Sequence, residues 1–198
     1  TDKNTVAESW ELSCHKDGES IIENGMYSGK TLSSYIKAAG IDVLGTNCKD
    51  KSSFPVLIKL IDARDNLSLQ VHPDDQYAYQ NEGEPGKTEM WYIIDCEENA
   101  ELIYGFKNKI SKAEFELSIE NNTLLNVVNK VKVKKGDVFF IKSGTLHAIG
   151  KGIVLAEIQQ NSNTTYRVYD YGRVDSNGNQ RPLNIEKAIA VTDLLPSK

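Results

Sequence analysis

The sequence predicts a mainly β fold, an antiparallel barrel or sandwich with a few helices inserted between the strands or flanking them. Seven short stretches, rich in β-branched and aromatic residues and each bounded by turn formers, recur along the chain. Helical periodicity is confined to separate segments, so no βαβ alternation runs through the chain. The best-marked strand alternates strictly, with Leu67, Leu69 and Val71 on one face and Ser68, Gln70 and His72 on the other.

Near the start, TLSSYIKAAG (31–40) places Leu32, Tyr35, Ile36 and Ala39 on one side of a helix that Gly40 stops. The strands follow: FPVLIKLIDA (54–63), NLSLQVH (66–72), EMWYIID (89–95), AELIYG (100–105), DVFFIKS (137–143), GIVLAEIQQ (152–160) and TTYRVYD (164–170). Pro73 ends the second of these because it has no N–H to donate, which leaves His72 at a strand end. DDQYAYQNE (74–82), SKAEFELSIENN (111–122) and LNIEKAIAV (183–191) read as helices. KVKVKK (130–135) alternates lysine with valine and reads as a solvated strand edge that resists edge pairing. The polar segment 170–183 carries Gly, Asn and Pro and reads as a loop leaving the barrel.

At 198 residues the chain is long enough to bury a substantial core, and with 39% hydrophobic residues, 26% charged residues and net charge -5 it has the balance of an ordinary soluble protein. No basic stripe suggests a nucleic-acid groove. Cys14, Cys48 and Cys96 are odd in number and form no CxxC, so neither a disulfide framework nor a cysteine zinc site is expected. No apolar run approaches the roughly 18 residues of a membrane span, and the N-terminus lacks the regions of a signal peptide. The expected location is the cytoplasm. A first residue of Thr rather than Met suggests a processed or trimmed chain.

Polar side chains converging inside a barrel cost several kcal/mol if left unpaired, so a metal or substrate is the natural reason for a group of them. Gln70 and His72 come from one strand, Glu89 opens another, and His147 follows the turn KSGTLHAIG. Two imidazoles, a carboxylate and an amide oxygen suit a borderline divalent ion such as zinc. His72 alone would read as a satisfied strand-end histidine; its company changes that. Glu157 shares a face with Ile153, Leu155 and Gln159, an acid on an otherwise apolar side, and Thr165, Arg167 and Tyr169 share another face. His15 reads as a loop or pocket-rim residue with no metal role, Trp10 and Trp91 as packing anchors, and Tyr166, Val168 and Tyr169 as barrel packing.

The stretches AESWELSCH, LSLQVHPDD, GKTEMWYIID and GDVFFIKSGTLHAIGKGIVLAEIQQNSNTTYRVYDYGR resemble type I phosphomannose isomerases, in the order and spacing of the short bacterial kind and over nearly the whole chain. The resemblance implies a cupin jelly-roll barrel and the interconversion of mannose 6-phosphate and fructose 6-phosphate through an enediol. It implies one zinc per chain, with ligands falling on Gln70, His72, Glu89 and His147, and a catalytic arginine falling on Arg167. Lys87 and Glu157 fall on family positions from which either can carry the proton. Ser68, Lys87 and Arg167 are candidates for holding the sugar phosphate, and Trp10 lies in a motif that lines the family's pocket. Larger relatives carry a histidine just before that lysine, where this chain has Gly86.

Relatives also carry a leading Trp-Gly-Gly segment and a second, C-terminal cupin-like domain, both missing here. Residues 1–198 are accordingly expected to form a single cupin-type catalytic domain, part of a longer enzyme. The expected partner is a small sugar phosphate, with no nucleic acid and no membrane, and the oligomeric state is open. Two other functions compete: a cupin module that binds or senses a sugar phosphate without turnover, and a non-haem iron oxygenase using two histidines and a carboxylate. Gln70 and the segment YRVYDYGR argue against the oxygenase.

Overall fold

A computed structural model describes residues 7–48, 54–175 and 177–197. Thr1, on which the expectation of a trimmed chain rests, lies outside them. Among the described residues, ten strands form two five-stranded antiparallel sheets. The first runs in the order β1 (Glu8–Leu12), β2 (Val56–Ala63), β9 (Ile153–Gln160), β4 (Glu89–Cys96), β7 (Val138–Ile141). The second runs β10 (Tyr166–Tyr169), β3 (Leu69–Val71), β8 (His147–Ala148), β5 (Glu101–Phe106), β6 (Val128–Lys132). The expected mainly β fold is therefore present.

Three helices begin where side chains satisfy their free N–H groups. Thr31 caps α1 (Leu32–Ala39) by accepting from Ser34 N, and Asp74 caps α2 (Asp75–Asn81) by accepting from Tyr77 N. Ser111 and Glu114 cap α3 (Lys112–Glu120) reciprocally in a capping box. A short α4 (Leu124–Val127) leads into β6, and α5 (Ile185–Val191) follows the 170–183 segment.

Sheet alternation produces two apolar cores. Between the sheets lie Ile61, Trp91, Ile93, Leu102, Ile141, Ile153 and Leu155. On the far side of the second sheet, Leu69, Val71, Phe106, Phe115, Leu124, Val128 and Val168 pack with helical Ala188. Each fully buried Leu, Ile or Phe contributes about 2 kcal/mol of transfer free energy. Because Leu69 and Val71 face the helices, Gln70 and His72 must face the barrel interior. Gly105, with φ of 65°, sits where the β5–β6 register shifts, and this bulge turns Phe106 to the helix side together with Ile103.

Three strands lie outside the seven predicted stretches, although β6 overlaps the lysine–valine run read as a strand edge. β8 is two residues long, β1 lies in the motif AESWELS with charged residues at two of its three exposed positions, and β6 begins ahead of the lysine–valine run. β6 is an edge strand of the second sheet, in keeping with the expectation for its lysines. The strand read at 66–72 forms ladder pairs only over Leu69–Val71, so Ser68 and His72 flank it. The outer face of the first sheet departs from the usual polar exterior: Leu60, Tyr92, Val138 and Phe140 are exposed there.

Segment 170–183 does not leave the barrel. Asp170 is buried and accepts from Arg173 and Arg181, and Arg173 also donates from Nη1 to the carbonyl of Asn66 at 2.6 Å, so the segment folds back over the second sheet. Burial opposes ionisation of Asp170, but bonds from Arg181 and Arg173 outweigh it and hold the carboxyl below its ordinary 3.8. A depressed carboxyl contributes stability above its unfolded pKa and loses it as pH falls through the lower folded value. Gly86 is packed even more tightly: a Cβ there would lie 2.4 Å from Asp74 C and 2.5 Å from Asp75 N, so no side chain fits before Lys87 while α2 starts where it does.

Two expectations follow for unfolding measurements. Gly86→Ala should lower stability by about 1–3 kcal/mol, the cost of forcing backbone apart; urea unfolding with an unchanged midpoint would show that the contact is not tight. Asp170→Asn should be less stable than the parent at pH 7 by about 1–3 kcal/mol, and this gap should narrow as pH is lowered below 3.8. A gap that stays constant down to pH 2 would assign the stability to packing rather than charge.

Candidate metal centre

The second sheet supplies two histidines and the first a carboxylate. His72 follows β3, His147 opens β8 opposite Gln70, and Glu89 opens β4 opposite Gln159. His72, Glu89 and His147 are all buried, and one potential ligand atom from each lies within 4.8 Å of the others. His147 Nε2 is 3.3 Å from Glu89 Oε1, and His72 Nε2 is 3.5 Å from Glu89 Oε2.

The ring tautomers follow from the other nitrogens. His72 Nδ1 is 3.0 Å from the carbonyl of Thr164, and His147 Nδ1 is 2.9 Å from the carbonyl of Thr145. A carbonyl can only accept, so each Nδ1 carries the proton and each Nε2 turns a lone pair inward. The two rings lie 4.7 Å apart between centroids. The Gln70 amide sits 3.4 Å from His147 Nε2, and a flip of that amide exchanges its nitrogen for an oxygen donor at the same place.

Electrostatics sharpen the picture. Burial, then Lys87 and His147, keep His72 well below the usual imidazole range, and burial lowers His147 to about 4, so both are neutral at pH 7. Burial and the neighbouring Glu157 push Glu89 up to about 7, and its Oε1 has no hydrogen-bond partner among the described residues. An unpartnered carboxylate oxygen facing imidazole lone pairs is unfavourable unless a cation sits among them. Two neutral imidazoles, a carboxylate and an amide oxygen fit a divalent borderline metal.

Lys87 and Glu157 adjoin this group. Lys87 Nζ donates to Glu89 Oε2, lies 2.9 Å from His72 Nε2 and is 3.7 Å from Glu157 Oε1. Burial works against the Lys87 ammonium, yet Glu157 and Glu89 outweigh it and raise its pKa. Burial likewise opposes the Glu157 carboxylate, but Lys87, Lys59 and the indole N–H of Trp91, which donates at 2.9 Å, hold it below the ordinary range. Trp91 is thus a packing anchor that also orients an acid. Beside them, Arg167 Nε donates to Ser68 Oγ at 3.3 Å and its Nη1 to Pro182 O at 3.2 Å. Burial, then Arg181, lower the Arg167 pKa.

Gln70, His72, Lys87, Glu89, His147 and Glu157 therefore form one cluster, Ser68 and Arg167 pair with each other, and Trp10 joins only through a residue the sequence reading passed over. Lys59 is buried with its Nζ 3.8 Å from Glu157 Oε1, 3.7 Å from Glu8 Oε1 and 4.8 Å from the Trp10 ring centroid. The signal was present in VLIKLIDA, where Lys59 shares parity with the buried Leu57 and Ile61. His15 is also buried rather than a simple rim residue, bonded to Glu84 at 3.1 Å.

Residues 1–108 match the catalytic domain of phosphomannose isomerase type I. Over 190 residues the chain is 48% identical to mannose-6-phosphate isomerase ManA of Bacillus subtilis (strain 168), an alignment that covers 96% of this chain and 59% of ManA. The crystal structure of the mannose 6-phosphate isomerase from Bacillus subtilis has a TM-score of 0.88 at 46% identity, covering 95% of this chain and 59% of that one. A zinc-bound mannose 6-phosphate isomerase shares the fold with a TM-score of 0.68 at 16% identity over 96% of this chain and 67% of its own. The paired antiparallel sheets are the cupin-type architecture of these proteins, and the chain spans about 59% of the length of its Bacillus subtilis relatives. On the family match and on this likeness, the chain belongs to the type I phosphomannose isomerase family.

Proposed function

We propose that the chain is a zinc-dependent aldose–ketose isomerase interconverting mannose 6-phosphate and fructose 6-phosphate in the cytoplasm, with residues 1–198 acting as one cupin-type catalytic domain. The observation that carries this reading is the buried set His72, Glu89 and His147, with both Nδ1 protons engaged and Glu89 Oε1 unpartnered, in a chain of this family. Gln70, His72, Glu89 and His147 would hold one zinc. When bound, a zinc ion supplies Lewis-acid stabilisation of negative charge on a substrate oxygen.

The chain's own side chains supply the remaining functions. Isomerisation must move a proton between C1 and C2 beside a carbonyl and stabilise the enediol charge in between. Glu157 is held ionised by Lys87, Lys59 and Trp91, so it is free to accept the carbon-bound proton. Lys87 is held protonated 3.7 Å away, placing positive charge where an oxygen becomes anionic. The sequence left the choice of proton carrier open; the opposite protonation states of this pair favour Glu157. A phosphate dianion needs cationic and hydroxyl donors together, which the pair of Arg167 and Ser68 offers. Arg167 thereby fixes the sugar relative to Glu157, and its own charge adds to the stabilisation. The barrel interior buries the reacting atoms among apolar side chains such as Trp91 and Leu155, and this excludes water.

Turnover of mannose 6-phosphate in a coupled assay, loss of that turnover on chelation and its return with added zinc are the expected results. A folded, zinc-loaded chain that binds sugar phosphate but exchanges no C2 proton in deuterated water would instead be a binding module. Arg167→Lys keeps a positive charge but loses the fork that reaches Ser68 and Pro182, and should lower kcat/KM by about 100-fold. Steady-state kinetics with kcat/KM within a factor of two of the parent would remove Arg167 from the site.

A further inference from the structure

We propose that Glu84 is a positioning residue for the metal centre: backed by His15, it fixes the Thr164 carbonyl that aims His72. The inference rests on the metal-centre reading above and adds residues outside the ligand set. The two histidines are oriented in unequal ways. His147 bonds a carbonyl two residues away, in its own turn, whereas His72 bonds a carbonyl 92 residues away. Thr164 lies in the turn between β9 and β10, where no ladder hydrogen bond holds it, so the aim of His72 depends on what fixes that turn.

Glu84 does so with one carboxylate oxygen. Its Oε1 accepts from Thr164 Oγ1 and, at 3.3 Å, from Ser162 Oγ, and Ser162 Oγ in turn accepts from Thr164 N at 3.2 Å. The hydroxyls of Ser162 and Thr164 thus converge on one atom. The other oxygen, Oε2, lies 3.1 Å from His15 Nε2. His15 Nδ1 accepts from Asp17 N at 3.2 Å, so Nε2 carries the proton and donates to Glu84. His15 is itself buried and packs edge-on to Trp10 with centroids 5.9 Å apart. Burial opposes ionisation of Glu84, but the bonds from Thr164 and His15 outweigh it, as expected for an acceptor meeting charge-assisted donors. Residues that hold the partner of a ligating histidine act on metal affinity through ring orientation and ligand basicity.

Zinc affinity by chelator competition and the visible spectrum of the cobalt(II)-loaded chain are the readouts, measured on the parent, Glu84→Ala, Thr164→Val and the double variant. Thr164→Val keeps the carbonyl bonded to His72 and removes only the hydroxyl. Glu84→Ala is expected to weaken zinc binding about tenfold and to shift the cobalt spectrum. Because both changes act through one link, the double variant should bind no more weakly than the weaker single variant. Glu82→Ala is the control, since Glu82 pairs with Lys187 and Tyr166 rather than with the turn, and should bind zinc like the parent. Thermal unfolding in excess chelator checks that each variant is folded; if Glu84→Ala does not fold, Thr164→Val carries the same expectation. Folded variants with the parent's affinity and spectrum would overturn the positioning role alone. A parent chain that binds neither ion would overturn the metal centre, and this inference with it.

Discussion

Two imidazoles spend their Nδ1 protons on backbone carbonyls and turn bare nitrogens toward a carboxylate whose Oε1 has no hydrogen-bond partner among the described residues. That arrangement of His72, His147 and Glu89 is the constraint on which the rest of the structure depends. Lys87 serves His72 Nε2 and Glu89 Oε2, but Glu89 Oε1 faces the lone pair of His147 Nε2 with no partner among the described residues, and a cation between them would relieve that cost. The fold explains how they are held there. Helices α3, α4 and α5 cover the outer face of the second sheet with their own apolar core, which commits Leu69 and Val71 outward and so commits Gln70 and His72 inward. The core between the sheets closes the other end of the barrel and leaves the polar cluster at the remaining end.

The charges around the cluster form a second layer of the same design. Two carboxylates, Glu89 and Glu157, are interleaved with two ammonium groups, Lys87 and Lys59, in contacts of 3.8 Å or less. Within this group of four the charges cancel. Burying so many ions is costly, and each is retained only because a partner lies within hydrogen-bonding or ion-pairing reach. Glu84, His15 and Thr164 extend the same logic outward, since they fix a carbonyl rather than touch the centre.

Much of this was legible in residue parity. Ser68, Gln70 and His72 alternate with leucines and valine, and parity alone assigned them a common face; Glu157 stood out on the inward face of β9 for the same reason. Parity also carried the buried position of Lys59, but a lone lysine in an apolar strand resembles a solvated edge charge until its partners Glu8 and Glu157 are known. What stayed hidden depends on long-range pairing. His15 and Glu84 are 69 residues apart, and nothing local marks either as part of a link to His72. The 170–183 segment looked like a departing loop because its composition is polar, whereas Asp170 draws Arg173 and Arg181 back onto the sheet. β8 escaped notice because two residues cannot show a period. Gly86 is explained by contact with the backbone of Asp74 and Asp75, which no sequence pattern reveals.

The central claim is that one cation is held by side chains from positions 70, 72, 89 and 147. Anomalous diffraction at the zinc absorption edge, from crystals of the zinc-loaded chain, tests it most directly. The account predicts a single strong peak at about 2.0–2.2 Å from both Nε2 atoms and from Glu89 oxygen. Crystals grown in excess zinc with no peak between those four residues, or with zinc bound only on the surface, would contradict it.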